Sequence, residues 1–449
     1  MDTPNLRFLD IPARKAALRE EVDVLVVGGG PAGIGAAIAA AREGLRVTLL
    51  EKRGFLGGNV TDSHVGIANH YMRHVPFCSS GIYAEMERGF YADYGRSHFV
   101  SETERLHNEY MKLFLDGFVL EEGIDLLLHA FVGDVVMAGD RIDAVAVYTK
   151  KGPIAYRAAI VVDATGDGDV AAFAGVPFKQ GRESDGLCQP GTLMFSVAGV
   201  DMDYFSRQEH NIWSIRDQLS RLRDEGRYSL MHNRLPFLGG LTDAGLAMEM
   251  NYTETYGADP TDSDSLTRAN VTARLQISEF IDYLRKNVHG MERIELASIA
   301  SEIGFRDSRR IQGRYELTLD DIENDRRFDD SIFLFPRFYD LHALDGDWTQ
   351  PSVIAKNSAS MHQSPRPGQV FSVPYRCIVP EKVNNLLVAG RCMCTDHEAE
   401  SAIRQVYACM QGGQAAGVAA GIALRDSTAP AKVDVGKLQG RLREVGVVL

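Results

Sequence analysis

The thirty residues from Asp23 to Lys52, DVLVVGGGPAGIGAAIAAAREGLRVTLLEK, constrain the fold more tightly than any other part of the chain. Apart from Asp23, the stretch Val22 to Val27 is apolar and branched, the composition of a strand buried on both faces of a parallel sheet. It stops at glycine. Gly28, Gly30 and Gly33 stand in G-x-G-x-x-G spacing: the first permits a tight turn, the second lets a ligand's phosphates approach the backbone, and the third lets a helix lie close to the strand. A helix of small residues follows, with Ala37 and Ala41 on the Gly33 side and Gly44 as its stop. Its start, near Pro31 and Ala32, presents free N–H groups and a positive dipole end, the complement of a pyrophosphate. A second strand, Arg46 to Leu50, delivers Glu51, 18 residues past Gly33, where a carboxylate accepts hydrogen bonds from ribose hydroxyls. Strand, glycines, helix, strand and acid in that order predict a Rossmann-like unit holding a dinucleotide.

The chain has 449 residues, 45% of them hydrophobic, enough to fill more than one domain. Its formal net charge of −13 is spread rather than blocked and lacks the basic footprint of a nucleic-acid partner, so none is expected. MDTPNLRFLDIPARKAALREE has no apolar core of signal-peptide length, and charges cut the longest apolar runs short of a membrane span. A cytoplasmic protein without a membrane partner is expected. The six cysteines contain no C-x-x-C pair, and Cys392 and Cys394 read as small buried hydrophobes. His64, His70 and His74 have no acidic ligand at a matching spacing, so no metal site is expected.

Beyond Glu51, the loop KRGFLGGNVTDSHVG carries Gly57 and Gly58 among short polar residues, a backbone threading past a ligand. Ser101 and Glu104 form a capping-box pattern before a helix through Leu106, Tyr110, Leu113 and Phe114. From Ile124 to Val162 short apolar stretches broken by turn residues predict a small antiparallel meander. It runs into a buried strand from Ile160, then Asp163-Ala164-Thr165-Gly166-Asp167 and a small-residue helix. Residues 176–370 change texture, with a strand at Thr192 to Val197 and helices at Ile212 to Glu225 and Val271 to Asn287, and contain no second strand-glycine-acid unit. They read as an inserted α+β substrate domain. The last block holds a strand, Leu386 to Ala389, then Gly390-Arg391, a polar loop CTDHEAES and a long helix rich in glycine and alanine.

Three separated pieces, DVLVVGGGPAGIGAAIAAAREGLRVTLLEK, VVDATGDGDVAAFAG and LLVAGRCMCTDHEAESAIRQVYACMQGGQAAGVAAG, together resemble the FAD-dependent oxidoreductases of the glutathione-reductase-like superfamily. QPGTLMFSVAGVD, GFRDSRRIQGRYELTLDDI and FSVPYRCIVP are similar to a bacterial branch grouped simply as FAD-dependent oxidoreductases and distantly similar to fumarate-reductase and thiazole-synthase flavoproteins. The resemblance implies an α/β fold, a Rossmann-like FAD-binding domain of residues 20–175 and 371–425 with 176–370 inserted, and terminal extensions at 1–19 and 426–449. It implies FAD, with Gly28, Gly30, Pro31, Ala32 and Gly33 at the pyrophosphate and Glu51 at the ribose. Lys52 and Gly58 would line the adenosine and pyrophosphate surroundings, Thr165 and Gly166 the dinucleotide, and Gly390 and Arg391 the ribityl chain. A helix from about Ser401 would aim its N-terminus at the flavin pyrimidine edge, where it stabilises the charge of reduced flavin. Many superfamily members have Gly-Asp where this chain has Gly390-Arg391, so Arg391 is read as a phosphate contact. His64 does not match the spacing of a flavin-linking histidine, and non-covalent FAD is expected.

The chemistry then belongs to residues near the end of the chain. His397, flanked by Asp396 and Glu398, is the candidate general acid or base. Arg404 follows in the same helix, and Tyr375 and Arg376 lie where the chain returns to the nucleotide domain. Arg306, Arg309 and Arg310 in RDSRR form a candidate carboxylate-binding cluster, the outer two one turn apart if helical. The expectation is hydride transfer to or from flavin N5 on a small polar metabolite, carboxylate-bearing in one reading, with a diffusible electron donor or acceptor. A fumarate-reductase-like reductase of a conjugated carboxylate and a non-catalytic nucleotide-binding module are the alternatives. The oligomeric state is left open.

Overall fold

Val22–Val27 lies at the centre of a five-stranded parallel sheet, in the order Leu386–Val388, Ala158–Asp163, Val22–Val27, Val47–Leu50, Asp125–Leu127. The computed structural model describes residues 15–66, 75–94, 106–205, 212–231, 235–236, 239–242, 244–342, 344 and 366–449. Alternate residues of the central strand enter different cores: Val24 and Val26 join the core on the helical face, Leu25 and Val27 the core on the other. A strand with no solvent face is apolar without alternation, and this is why the run reads as it does.

On the helical face, Pro31–Arg42 packs against the long helix Val406–Arg425. The approach is nearly backbone to backbone. A Cβ at Gly413 would stand 1.9 Å from the Ala32 carbonyl oxygen, one at Gly417 2.4 Å from that of Ala36, and one at Gly35 2.5 Å from that of Met410. The opposite face is covered by an antiparallel meander, Phe131–Ala138, Arg141–Thr149 and Gly152–Tyr156, edged by Ala17–Leu18 in parallel. The meander is shorter than the predicted Ile124 to Val162. Asp125–Leu127 and Ala158–Asp163 pair with Val47–Leu50 and Val22–Val27, so the chain leaves the parallel sheet and returns to it around the meander.

The inserted unit has its own core, running from Leu193 to Phe305. Phe195–Ala198 pairs antiparallel with Ala247–Met250 and Glu295–Ile299, and Gly240–Leu241 completes the sheet. The helix Ser263–Asn287, capped by Asp262 accepting from the Ser265 N–H, lays Phe280 on Tyr252, ring centroids 3.8 Å apart. This unit is narrower than residues 176–370. Leu317, Ile322, Phe333 and Phe335 pack into the helical-face core of the nucleotide domain, Phe335 stacking on Tyr407. The C-terminal residues are likewise part of that core rather than an extension: Val435–Glu444 buries Leu438 and Leu442 in it. The helix predicted through Leu106 begins at Asn108, and its expected cap, Ser101 and Glu104, lies outside the described residues.

Because overpacking at such a contact costs about 1–3 kcal/mol, Gly413→Ala is expected to lower stability by about 3 kcal/mol. Gly440→Ala is expected to raise it by about 0.5–1 kcal/mol, since nothing lies within 4 Å of that position in the last helix. Urea unfolding of the two variants checks the pair.

Candidate active site

At the carboxyl ends of the parallel strands a cleft of about 320 Å³ runs between the nucleotide domain and the inserted unit. Gly28, Gly30, Pro31, Ala32, Glu51, Lys52, Gly58, Thr165, Gly166, Gly390 and Arg391 all line it, brought together from four parts of the chain. Gly33 does not line it. A Cβ at Gly33 would stand 1.7 Å from the Gly28 carbonyl oxygen, so this glycine serves the packing of helix on strand. At Gly30 a Cβ would meet nothing nearer than Gly58 Cα at 3.8 Å, so the space is left for something other than protein.

The Pro31–Arg42 helix has no side-chain cap, which leaves its first-turn N–H groups to a ligand. Glu51 is locked at the cleft edge: Oε2 accepts from the Gly29 N–H at 2.6 Å and Oε1 from the Arg53 N–H at 2.8 Å. Asp163 ties the third segment in place, accepting from the Thr165 N–H and hydroxyl and from the Ala171 N–H. The expected helix from Ser401 is two helices, His397–Ile403 and Val406–Arg425. Gln405, in an extended conformation, separates them, and it is the uncapped start of the second, with Val406 and Cys409, that lines the cleft.

Two guanidinium groups stand in the same wall. Arg391 Nη2 pairs with Asp167 Oδ1 at 2.5 Å, while its buried Nη1 has no hydrogen-bond partner. Arg404 Nη2 donates to the Asp340 carbonyl at 2.8 Å and to its Oδ2 at 2.9 Å, while its buried Nε has none. Burial pushes the Asp340 carboxyl up, but His342, Arg404 and Arg306 outweigh it and hold the group well below the usual carboxylate range.

His397 is buried, 1% exposed, and does not line this cleft. Its Nδ1 is 3.2 Å from Asp307 Oδ2, and Glu400 stands beside the pair. Burial, then Asp307, drives the Glu400 carboxyl well above its usual range. Arg310, fully buried, donates to the Thr395 and Gly181 carbonyls and approaches Glu400 Oε2 at 3.5 Å.

The structure does not bring Tyr375 or Arg376 to the cleft. The Tyr375 hydroxyl donates to the Pro430 carbonyl inside the helical-face core, and Arg376 pairs with Asp330 at 2.9 Å and lies over the Tyr315 ring. The arginine cluster is not helical either. Arg309–Ile311 is a strand paired with Phe178–Gln180, so Arg309 turns to Asp169 and Arg310 to Glu400 on the other face. Arg306 donates to the Pro190 carbonyl and Thr192. His64 is buried, its Nε2 3.9 Å from Glu109 Oε1, and burial lowers its pKa from 6.5 to about 4. His70 and His74 lie outside the described residues. Asp307 and Asp340 do not stand out in the sequence. Asp307 is inside RDSRR, where the arginines mask it; Asp340 has no local signal.

The sequence profile described as FAD-dependent oxidoreductase matches residues 23–442, nearly the whole chain. The chain belongs to this family. Its cofactor is therefore FAD, and the cleft fits it: an open glycine cradle, an uncapped helix start, an oriented acid at one end and a second uncapped helix start at the other. This FAD-dependent oxidoreductase is 47% identical over 72 residues to leghemoglobin reductase of Glycine max, which is 16% of this chain and 13% of that one. It is 44% identical over 72 residues to the mitochondrial dihydrolipoyl dehydrogenase of Pisum sativum, again 16% of this chain and 13% of that one. Each match thus spans a small part of the relative's length. Among solved structures, a geranylgeranyl bacteriochlorophyll reductase-like protein of Thermoplasma acidophilum aligns over 95% of this chain and 84% of its own, with TM-score 0.48 and 13% identity. The OxyS anhydrotetracycline hydroxylase of Streptomyces rimosus aligns over 95% and 66%, with TM-score 0.46 and 13% identity. Likeness at that level bears on neither substrate nor reaction.

Gly30 and Gly33 separate binding from folding. Gly30→Ala is expected to leave the melting temperature of the apoprotein unchanged while weakening FAD binding at least about tenfold, because its methyl group enters the pyrophosphate space. Gly33→Ala, with its Cβ driven into Gly28, is expected to destabilise the apoprotein itself. Fluorescence titration with FAD and thermal melts of both variants distinguish the two.

Proposed function

We propose that this FAD-dependent oxidoreductase moves a hydride between the flavin and a small polar metabolite that carries a carboxylate. Bound FAD supplies a two-electron donor or acceptor at flavin N5. The observation that carries the reading is Arg404. Its guanidinium is anchored on Asp340 along one edge, its buried Nε has no hydrogen-bond partner, and the residue lines a cleft that the inserted unit closes with Pro260, Leu266, Ile303 and Phe305. A substrate carboxylate would satisfy that donor, and the apolar residues opposite would exclude water from the reacting carbon. The accompanying proton falls to the buried cluster of His397, Asp307 and Glu400, which lies close enough behind the wall for Glu400 to feel Arg391 and Arg404 electrostatically. In the opposite direction the same arrangement reduces a conjugated carboxylate. An arginine that binds a carboxylate suits that variant equally.

Anaerobic titration of the oxidised protein with small hydroxy and amino carboxylates, and of the dithionite-reduced protein with conjugated carboxylates, tests the reading. Bleaching or recovery of the flavin spectrum by one of them is expected. Arg404→Gln is expected to raise KM for that compound about tenfold to a hundredfold, the worth of a charged hydrogen bond, with a smaller change in kcat. A flavin that responds to dithionite but to no metabolite would instead favour a nucleotide-binding module.

A further inference from the structure

Three ligand-type side chains converge inside the protein, each with one buried atom that lacks a hydrogen-bond partner. Asp307, His397 and Glu400 each bring one ligand-type atom to within 4.8 Å of the others, and Asp307 Oδ2, His397 Nδ1 and Glu400 Oε1 are buried without a hydrogen-bond partner. The 3.2 Å approach of His397 Nδ1 to Asp307 Oδ2 is of ordinary length but lacks hydrogen-bond geometry. The three residues are 0%, 1% and 0% exposed, so water from the surface does not satisfy them.

We infer that Asp307, His397 and Glu400 form a binding site for a divalent first-row cation such as Zn²⁺, Mn²⁺ or Fe²⁺. Two carboxylates and an imidazole offer three O and N donors, the borderline set these ions take, the ion displacing the proton that burial favours on Glu400 and leaving further positions for water. The donors are aimed by their own second contacts, as metal ligands are. Asp307 Oδ1 accepts from the Gln189 N–H at 2.9 Å, which turns Oδ2 inward. Glu400 Oε2 accepts from Arg310 Nη1 at 3.5 Å, which leaves Oε1 as its unpartnered oxygen. His397 and Glu400 sit in the first turn of His397–Ile403, three residues apart on one helix face. Asp307 arrives from the segment leading out of the inserted unit into the strand Arg309–Ile311, so one ion would join that segment to the helix beside the cleft. A proton on His397, or on Glu400 where burial favours it, would serve one pair of these atoms at a time; a cation satisfies all three together. The site deepens the proposed function and rests on it: with the ion in place, an ion-bound water takes over proton handling from the free imidazole.

The expected result for the FAD-loaded full chain, stripped with chelator and reloaded with Zn²⁺, Mn²⁺ or anaerobic Fe²⁺, is about one ion per chain by elemental analysis. Co²⁺ loading is expected to give visible d–d absorption, a readout on the wild-type chain that no misfolded variant can imitate. Asp307→Asn, His397→Gln and Glu400→Gln are each expected to cut retention at least tenfold with FAD content kept, whereas Asp330→Asn, at the remote Arg376 pair, retains the ion. Failure of the wild-type chain to retain any of these ions, or retention unchanged in all three variants, would overturn the site. Substrate bleaching of the flavin in metal-free protein at the rate of loaded protein would overturn the ion's part in proton handling and leave the proposed function standing. A retained ion with no responding metabolite would overturn the proposed function and leave only the ion site standing.

Discussion

Everything in this protein hangs on how closely backbone can approach backbone around Gly28–Gly33. With the Gly33 Cα against the Gly28 carbonyl, the Pro31–Arg42 helix starts directly off the end of the central strand, and its free N–H groups open into the cleft. The same helix is held from behind by Gly413 and Gly417 of the long C-terminal helix, almost four hundred residues later. That second contact is what brings Gly390, Arg391, Arg404 and the uncapped start at Val406 to the far end of the same cleft. The cleft that fits FAD is thus a consequence of small residues at a few interfaces.

The legible part of the molecule is the part governed by local rules. Strand Val22–Val27 and its glycine-initiated helix follow from patterning and turn chemistry over thirty consecutive residues, and eleven of the twelve residues assigned to the cofactor line the cleft. Gly33, the twelfth, supports it from beneath. What stays hidden depends on distant partners. The arginines of RDSRR share one face only on a helix; pairing with Phe178–Gln180 makes the segment a strand and sends Arg309 and Arg310 in opposite directions. Sequence order puts Tyr375 and Arg376 beside the returning chain, yet Tyr375 is drawn into the core by the C-terminal segment, through the Pro430 carbonyl. The break at Gln405 leaves no glycine or proline in the sequence to announce it.

The charged interior behind the cleft has a consistent logic. Arg391 with Asp167 and Arg404 with Asp340 are each half-satisfied pairs, one edge bound to a carboxylate and one donor left over in the cavity wall. Buried polar atoms without partners are costly, and proteins keep them where a ligand completes the set. Deeper in, Asp307, His397 and Glu400 are short of partners in the complementary sense: Arg310 reaches Glu400 Oε2 alone, and Asp307 Oδ2, His397 Nδ1 and Glu400 Oε1 are left over. Spare donors belong to residues of the cleft wall, spare acceptors lie behind it. In the proposed reading an anionic substrate would answer the first, and a cation the second.

The central claim is that three distant segments build one non-covalent FAD site. It is tested most directly by precipitating the purified full-length protein with acid and identifying what enters the supernatant. The expected result is intact FAD, about one per chain, with none left on the precipitate. A nicotinamide dinucleotide in its place, or a flavin that stays with the precipitated chain, would contradict the account.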